Sequence, residues 1–527
     1  MSLFKAAATV SGFTLLSRIT GLARDIIIAR TFGATALTDA FWVAFRIPNL
    51  LRRLFAEGAF TQAFVPILAE VKQTSQDSAQ MKQTVDRVAM ALFSSLSIIT
   101  LLGILGAPLV VLAIASGLSE PGRLSEYEAA TWMTRVMFPY IVCMSLVSFA
   151  SGLLNTWKKF AVPAFTPVLL NLSMIGASAW LAPHTSEPIY ALALGVMIGG
   201  LAQLAIQWWA ISRLGLRPKL TTSPLTAFGD PIVKRVMRQM LPATLGVSVA
   251  QISILINTNI ATWLTPGSVT WLSFADRLME FPIALIGVAL GTVLLPTLSK
   301  AHADHAHEQY SHLLGWGMRL VYFLGLPAAL AMILLADGLV ATLFQYGAFT
   351  ADDVGQTKMA VMAYAVGLLG LLLVKILAPG FYGKQDIKTP VKIAVFVLVT
   401  TQTLNLVLVP WLAHAGLALS IGLGACINAA LLYAGLRRKR LYLPQRGWWP
   451  FMGKLLLSLG VMGSILVFVA GDIDWTSSEL NLWARAGWLA LTLGTSLVGY
   501  LITLWLLGVR PSDLRRAPGV KTEESPT

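Results

Sequence analysis

Apolar runs separated by short charged clusters fill nearly the whole chain, and many are long enough to cross the roughly 30 Å of hydrocarbon in a bilayer as helices. About fourteen such runs are centred near residues 18, 50, 97, 142, 172, 199, 248, 284, 326, 366, 400, 426, 460 and 496. The pattern predicts an all-α polytopic membrane protein. Charge in the connections alternates along the chain. One set is basic: Lys72, Lys82 and Arg87; Lys158 and Lys159; Arg213, Arg217, Lys219, Lys234, Arg235 and Arg238; Lys384, Lys388 and Lys392; and Arg437, Arg438, Lys439, Arg440 and Arg446. The other is mainly acidic, with Glu120, Glu126 and Glu128, then Glu187, then Asp337, Asp352 and Asp353, then Asp472, Asp474 and Glu479. Lysine and arginine near span ends are retained in the cytoplasm. The basic connections and both termini are therefore expected inside, which requires an even number of spans.

Composition agrees, since 527 residues at 56% hydrophobic and 12% charged are a polytopic rather than a soluble balance. A formal charge of +14 raises the question of nucleic acid. The basic residues lie in short loops between apolar runs, not on a separable domain, so membrane lipids are the expected partners and nucleic acid is not. Cys143 and Cys426 sit far apart in apolar runs and fit no metal or disulfide spacing. They read as ordinary buried thiols. One early lysine, Lys5, with no small-residue cleavage site after it, predicts that the first helix is kept in the mature protein.

An internal repeat organises the runs. Phe64-Val65-Pro66-Ile67-Leu68, closing the second run, resembles Leu294-Leu295-Pro296-Thr297-Leu298, closing the eighth, at an offset of 230. Phe160-Ala161-Val162-Pro163 lines up with Ile387-Lys388-Thr389-Pro390 at an offset of 227. Six spans return the chain to the same side, so the repeat predicts two lobes of parallel topology, residues 1–220 and 221–445, related by an axis along the membrane normal. The last two runs, within 446–510, form an appended pair, and 511–527 a cytoplasmic tail.

Several arginines occupy depths that should be hydrocarbon: Arg18, Arg24, Arg46, Arg52 and Arg53 in the first two runs, and Arg277 in the eighth. A charge there costs several kcal/mol unless it faces a bundle interior or a wet cavity. In the second run Asp39, Arg46 and Arg53 are spaced by seven, with Asn49 and Glu57 on the same stripe, so one face is polar from end to end. Pro48 permits a kink in it. Arg18 and Asp25 are also seven apart, whereas Arg24 is rotated away from that face. Arg277 and Glu280 can pair at i+3, beside Asp276 and just before Pro282. Structural ion pairs are the competing reading for the carboxylates and Arg46. The excess of arginine over carboxylate calls for an anionic substrate, and a guanidinium fork suits phosphate oxygens. Lys375 is a further candidate for the same cavity, its alternative being a local pair or a snorkelling ammonium.

Other constellations read as structural. His302, His305, His307 and His312 lie in what reads as a polar solvated loop without a closed metal-ligand pattern, so no metal site is expected. Asp352 and Asp353 read as the acidic first turn of a helix. Gly380-Phe381-Tyr382-Gly383 is no phosphate loop. Trp208, Trp209, Trp448 and Trp449 fall at span ends, as interfacial anchors do.

The motifs resemble those of the MviN or MurJ lipid II flippases, in the superfamily that also holds multidrug-and-toxin and polysaccharide exporters. The resemblance runs over essentially the whole chain and rests on Ser17-Arg18, Gly21-Leu22-Ala23-Arg24-Asp25, Thr38-Asp39-Ala40-Phe41, Pro48-Asn49-Leu50-Leu51-Arg52-Arg53-Leu54-Phe55-Ala56-Glu57-Gly58-Ala59-Phe60, Ala275-Asp276-Arg277-Leu278-Met279-Glu280-Phe281-Pro282 and Gln385-Asp386-Ile387-Lys388-Thr389-Pro390. It implies two six-helix lobes around a cationic cavity, with the last helix pair forming a groove for a polyprenyl tail. By resemblance Arg18, Arg24, Arg52 and Arg277 bind substrate, and Asp25, Asp39, Arg53, Glu57 and Glu280 support or gate the site. The implied substrate is lipid II, carried from the inner to the outer leaflet of the bacterial cytoplasmic membrane by a monomer without cofactor. Membrane potential is the expected energy source, with the coupling ion open. Two other readings compete: a drug or polysaccharide exporter on the same fold, which needs neither the arginines nor the appended pair, and an enzyme acting on polyprenyl diphosphates. The buried runs lack the paired acids with histidine, or the metal-binding acidic motif, that such an enzyme requires.

Overall fold

The computed structural model describes residues 3–51, 60–74, 78–220, 223–304, 306–477 and 479–510. Among the described residues every regular element is helical, and nine helical stretches are long and apolar enough to cross a membrane. The all-α polytopic class read from the hydrophobic pattern is what the structure has. The chain forms two compact units: Met1–Thr270 with Tyr346–Phe349, and Trp271–Gln345 with Thr350–Thr527.

Unit 1 contains α1 (Leu3–Phe32), α2 (Ala36–Leu51), α3 (Phe60–Thr74), α4 (Ser78–Leu105), α5 (Ala107–Ile114), α6 (Leu124–Met137), α7 (Tyr140–Thr156), α8 (Ala161–Gly176), α9 (Tyr190–Ser212), α10 (Pro224–Gly229) and α11 (Pro231–Thr262). Here α1 packs on α8, α8 on α9, α2 on α6, and α3 on both α7 and α11. Aromatic rings weld α3 to α7: Phe64 lies 4.9 Å from Phe60 and 5.2 Å from Phe149, centroid to centroid, in stacked geometry. The start of α11 follows from its residues. Asp230 accepts hydrogen bonds from the Ile232 and Val233 amides at 2.8 and 3.3 Å, and Pro231 takes the first helical position, where its missing N–H is no loss. Arg87 of α4 pairs with the same carboxylate, so the cap also ties two helices together.

Beyond it lie α12 (Ser268–Pro282), whose first residues belong to unit 1, then α13 (Ala289–Ala303), α14 (His307–Leu334), α15 (Ala336–Phe344), α16 (Ala351–Leu377), α17 (Pro379–Tyr382), α18 (Lys388–Arg438), α19 (Trp448–Ala470) and α20 (Leu482–Leu506). A reciprocal cap starts α16. Thr350 Oγ1 accepts from the Asp353 amide, and Asp353 Oδ2 accepts from the Thr350 amide at 2.9 Å, so Asp353 caps the helix and Asp352 lies beside it in the acidic first turn that the sequence predicts. The 51 residues of α18 are two limbs meeting at Ala413, whose φ of 47° is not helical. The limbs fold back on each other: a Cβ added to Gly416 would lie 2.6 Å from the Leu408 carbonyl oxygen, and Gly424 opposes Thr401. At the open end Asp386 accepts from Lys439 and from the Thr389 hydroxyl at 2.7 Å, joining the two ends of the hairpin.

Inside a bilayer, burying one apolar side chain against another gains little over burying it in lipid, so helix pairs are held by close backbone approach at small residues. Gly367 of α16 meets Gly422 of α18 so closely that a Cβ on Gly367 would fall 2.0 Å from the Gly422 Cα. The α19–α20 pair is attached by polar contacts. Tyr500 donates to the Phe323 carbonyl of α14 at 2.7 Å, and buried Arg485 donates to the Ala341 carbonyl of α15 at 3.3 Å and to the Ser477 carbonyl at 2.9 Å.

Candidate functional site

In unit 1, Arg18, Arg24 and Asp25 lie on α1, and Arg24 reaches α8. Arg24 is 5% exposed and folds its guanidinium onto the next residue, donating to Asp25 Oδ1 from Nε at 2.8 Å and from Nη2 at 2.6 Å. Nη1 donates to Asn171 Oδ1 of α8 at 3.1 Å. The Asn171 amide nitrogen in turn donates to the Ser17 carbonyl at 3.0 Å and to Thr20 Oγ1 at 3.1 Å. One asparagine thus fixes both the α1 backbone and the arginine. Asn171 was not a sequence candidate; an amide within the fifth apolar run was its one signal. Arg18, a turn and a half earlier, is exposed, and no carboxylate pairs with it among the described residues. The rotation that separates Arg24 from the Asp25 face does not keep their side chains apart, because the arginine stem is long enough to reach its neighbour.

At the start of α2, Asp39 is 2% exposed and fully engaged. Its Oδ2 accepts from the Gly267 amide at 2.7 Å, and Oδ1 from the Thr270 amide at 2.8 Å and the Thr270 hydroxyl at 2.6 Å. Asp39 therefore caps the free amides at the start of α12 from a helix more than two hundred residues away in sequence. Farther along α2 the helix continues through Pro48 to Leu51, and Arg46 and Asn49 are half-buried. Arg52, Arg53 and Glu57 lie outside the described residues.

In unit 2, Arg277 Nη1 donates to Glu280 Oε2 at 2.9 Å, the i+3 pair that their spacing predicts, with both side chains partly exposed. Directly after Pro282 the backbone widens into a π-helical segment, Ile283–Val288, before α13 begins. Proline cannot supply the amide that a regular helix needs, and π segments inside helices recur at functional sites. This widening brings Gly287 against the stem of Lys375 on α16, where an added Cβ would sit 3.3 Å from the lysine Cγ. Lys375 itself is exposed, with no ion pair among the described residues. The histidine group is not the loop its polarity predicts: His302 ends α13, and His307 and His312 belong to α14, because the helices continue past the apolar runs into polar sequence. His305 lies outside the described residues.

Arg24 and Arg277 thus each pair with a carboxylate of their own helix, and comparison with known proteins assigns the family. The profile of the family described as "Lipid II flippase MurJ" matches residues 28–482. A lipid II flippase MurJ of Burkholderia cenocepacia is 51% identical over 516 residues, covering 98% of this chain and 99% of that protein. Among solved structures, one titled "Lipid II flippase MurJ, inward closed conformation" aligns with a TM-score of 0.78 at 22% identity, covering 96% of this chain and 99% of that one. An inward-facing multidrug transporter of the MATE family in the MOP superfamily aligns with a TM-score of 0.66 at 15% identity, covering 82% and 98%. At those identities the structural likenesses speak to fold, whereas the profile and the relative's identity decide membership: the chain belongs to the lipid II flippase MurJ family.

Proposed function

We propose that this protein flips lipid II, the lipid-linked peptidoglycan precursor, from the inner to the outer leaflet of the bacterial cytoplasmic membrane. The observation that carries the reading is 51% identity to a lipid II flippase over nearly the full length of both chains. The protein is a multi-pass transporter, not an enzyme, and the exporter and polyprenyl-diphosphate enzyme readings fall away with family membership. Arg18, Arg24, Arg52 and Arg277 bind the substrate diphosphate, with Asp25, Asp39, Arg53, Glu57 and Glu280 as supporting or gating residues. Supporting this are the exposed guanidinium of Arg18 and the partly exposed one of Arg277. For Arg24, three hydrogen bonds engage fewer than the five guanidinium N–H groups.

Fourteen spans, with both termini cytoplasmic, complete the topology. The two limbs of α18 support two crossings there, and the alternating loop charges support the orientation. Residues 1–220 and 221–445 act as the two transport lobes, and the α19–α20 pair receives the polyprenyl chain. In support of the last point, Leu456, Phe468, Val498 and Ile502 on that pair are exposed. A monomer carries out the cycle, drawing on membrane potential and needing no cofactor.

The test is acute depletion in cells. Lipid II should remain chemically intact, lose accessibility to an externally added enzyme that cleaves it, and regain accessibility when the protein is restored, with mass analysis of the lipid throughout. An outer-leaflet pool that persists without the protein and without any replacement flippase, or lipid II altered by the purified protein, overturns the assignment.

A further inference from the structure

A cavity at the end of α9 holds a charge excess that the flippase reading does not use. After α9 the chain turns at Gly215, in a left-handed conformation with φ of +70°, and runs through Arg217 and Lys219. This turn, with Lys82 of α4 and Trp208 and Ser212 of α9, lines an open cavity of about 560 Å³. Three cations converge there, and among the described residues none of Lys82, Arg217 and Lys219 has a carboxylate ion-pair partner. Of the nearby acids, Asp230 pairs with Arg87, while Asp86 accepts from the Lys219 backbone amide at 2.8 Å and offsets part of the positive charge without cancelling it.

Depth narrows the identity of the ligand. Trp209, next to Trp208, is 52% exposed, and the Arg213 guanidinium lies 4.0 Å from its ring centroid. Tryptophan capped by arginine at a helix end marks the headgroup layer of a bilayer. Anionic phosphodiesters are the abundant anions at that level, and basic pockets between membrane helices suit their headgroups. Arg217 adds a fork that matches two phosphate oxygens.

We propose that this cavity binds the phosphodiester headgroup of an anionic phospholipid, neutralised by Lys82, Arg217 and Lys219, with Trp208 as its apolar wall. None of Arg18, Arg24 and Arg46 is among the residues lining it, and the inference depends on the protein lying in a membrane rather than on which lipid it flips.

The full chain in detergent, titrated with dioleoylphosphatidylglycerol or dioleoylphosphatidylcholine and read by native mass spectrometry, provides the test. Phosphatidylglycerol should occupy one tight site that phosphatidylcholine does not. The combined Lys82→Gln, Arg217→Gln, Lys219→Gln variant should bind it about a hundredfold more weakly, and Arg217→Gln alone about fivefold. The charge-keeping set Lys82→Arg, Arg217→Lys, Lys219→Arg should retain more of the binding than the neutral triple. Neutralising exposed Arg437, Arg438 and Arg440 in unit 2 serves as the control and should leave the tight site occupied. Unchanged binding in the cavity variants, or equal loss in the control, overturns the proposal. So does full displacement by inorganic phosphate, which would make a free anion and not a lipid the ligand.

Discussion

Arg18 and Arg24 share one helix and one proposed ligand, yet their surroundings predict different consequences of removing them. Arg24 is buried against Asp25 and Asn171, so Arg24→Ala strips a buried carboxylate of its adjacent cation. Breaking a buried pair from one side costs about 3–5 kcal/mol, and the purified variant should melt at lower temperature as well as fail to restore growth of flippase-depleted cells. Arg18 is exposed, so Arg18→Ala should fail in the same growth assay with an unchanged melting temperature and normal membrane levels. Arg18→Lys should rescue poorly, because a point charge replaces a bidentate fork. Normal growth with both alanine variants at native expression would remove these residues from the site. What was legible here was the unusual depth of the charges. Their partners were not: Asn171 and Thr270 lie far away in sequence, and no periodicity within α1 or α2 records which residue of another helix will meet them.

At the scale of elements, the α18 hairpin depends on how its ends are joined. Hydrogen bonds from Lys439 and then from Thr389 hold the Asp386 carboxyl down to about 2, well below the ordinary carboxylate value. A depressed folded-state value means that the contribution to stability is complete above the unfolded value of about 3.9 and disappears as pH falls through the folded value. Native protein should therefore melt above Asp386→Asn at pH 7, with the gap closing as pH falls from 4 toward 2. A gap independent of pH over that window would mean that the carboxylate charge is not what closes the hairpin. Two apolar runs near 400 and 426 announced the limbs, but alanine at 413 carries no side-chain signal for the reversal. The start of α16 could be read because threonine and aspartate three apart have a local bonding pattern of their own. The π-helical segment after Pro282 was not read from the sequence, since whether a proline is followed by a kink or by such a widening depends on packing, here of Gly287 on Lys375.

For the whole molecule, orientation follows from loop charge and can be checked by labelling. In a version lacking Cys143 and Cys426, single cysteines at Gly122, Asp352 and Glu479 should react with an impermeant thiol reagent from outside, and ones at Ala303, Lys388 and Arg438 should not; all six positions are exposed. Consistent outside labelling of the second group would invert the topology. That orientation fixes the sign of the electrical effect. With the cell interior negative, the field pushes an anion outward, and each charge that crosses releases about 2.3 kcal/mol per 100 mV. A diphosphate with two negative charges would gain about twice that, several times RT, if the protein's own arginines do not travel with it. In proteoliposomes with lipid II in the inner leaflet, a potassium diffusion potential negative inside should speed its appearance outside, and one of opposite sign should slow it. Arg18→Ala should abolish transport at every potential, since without the site there is no charge for the field to move. A rate indifferent to both sign and size of the potential would mean that the protein moves compensating charge with its substrate, and the proposed energy source would have to be abandoned.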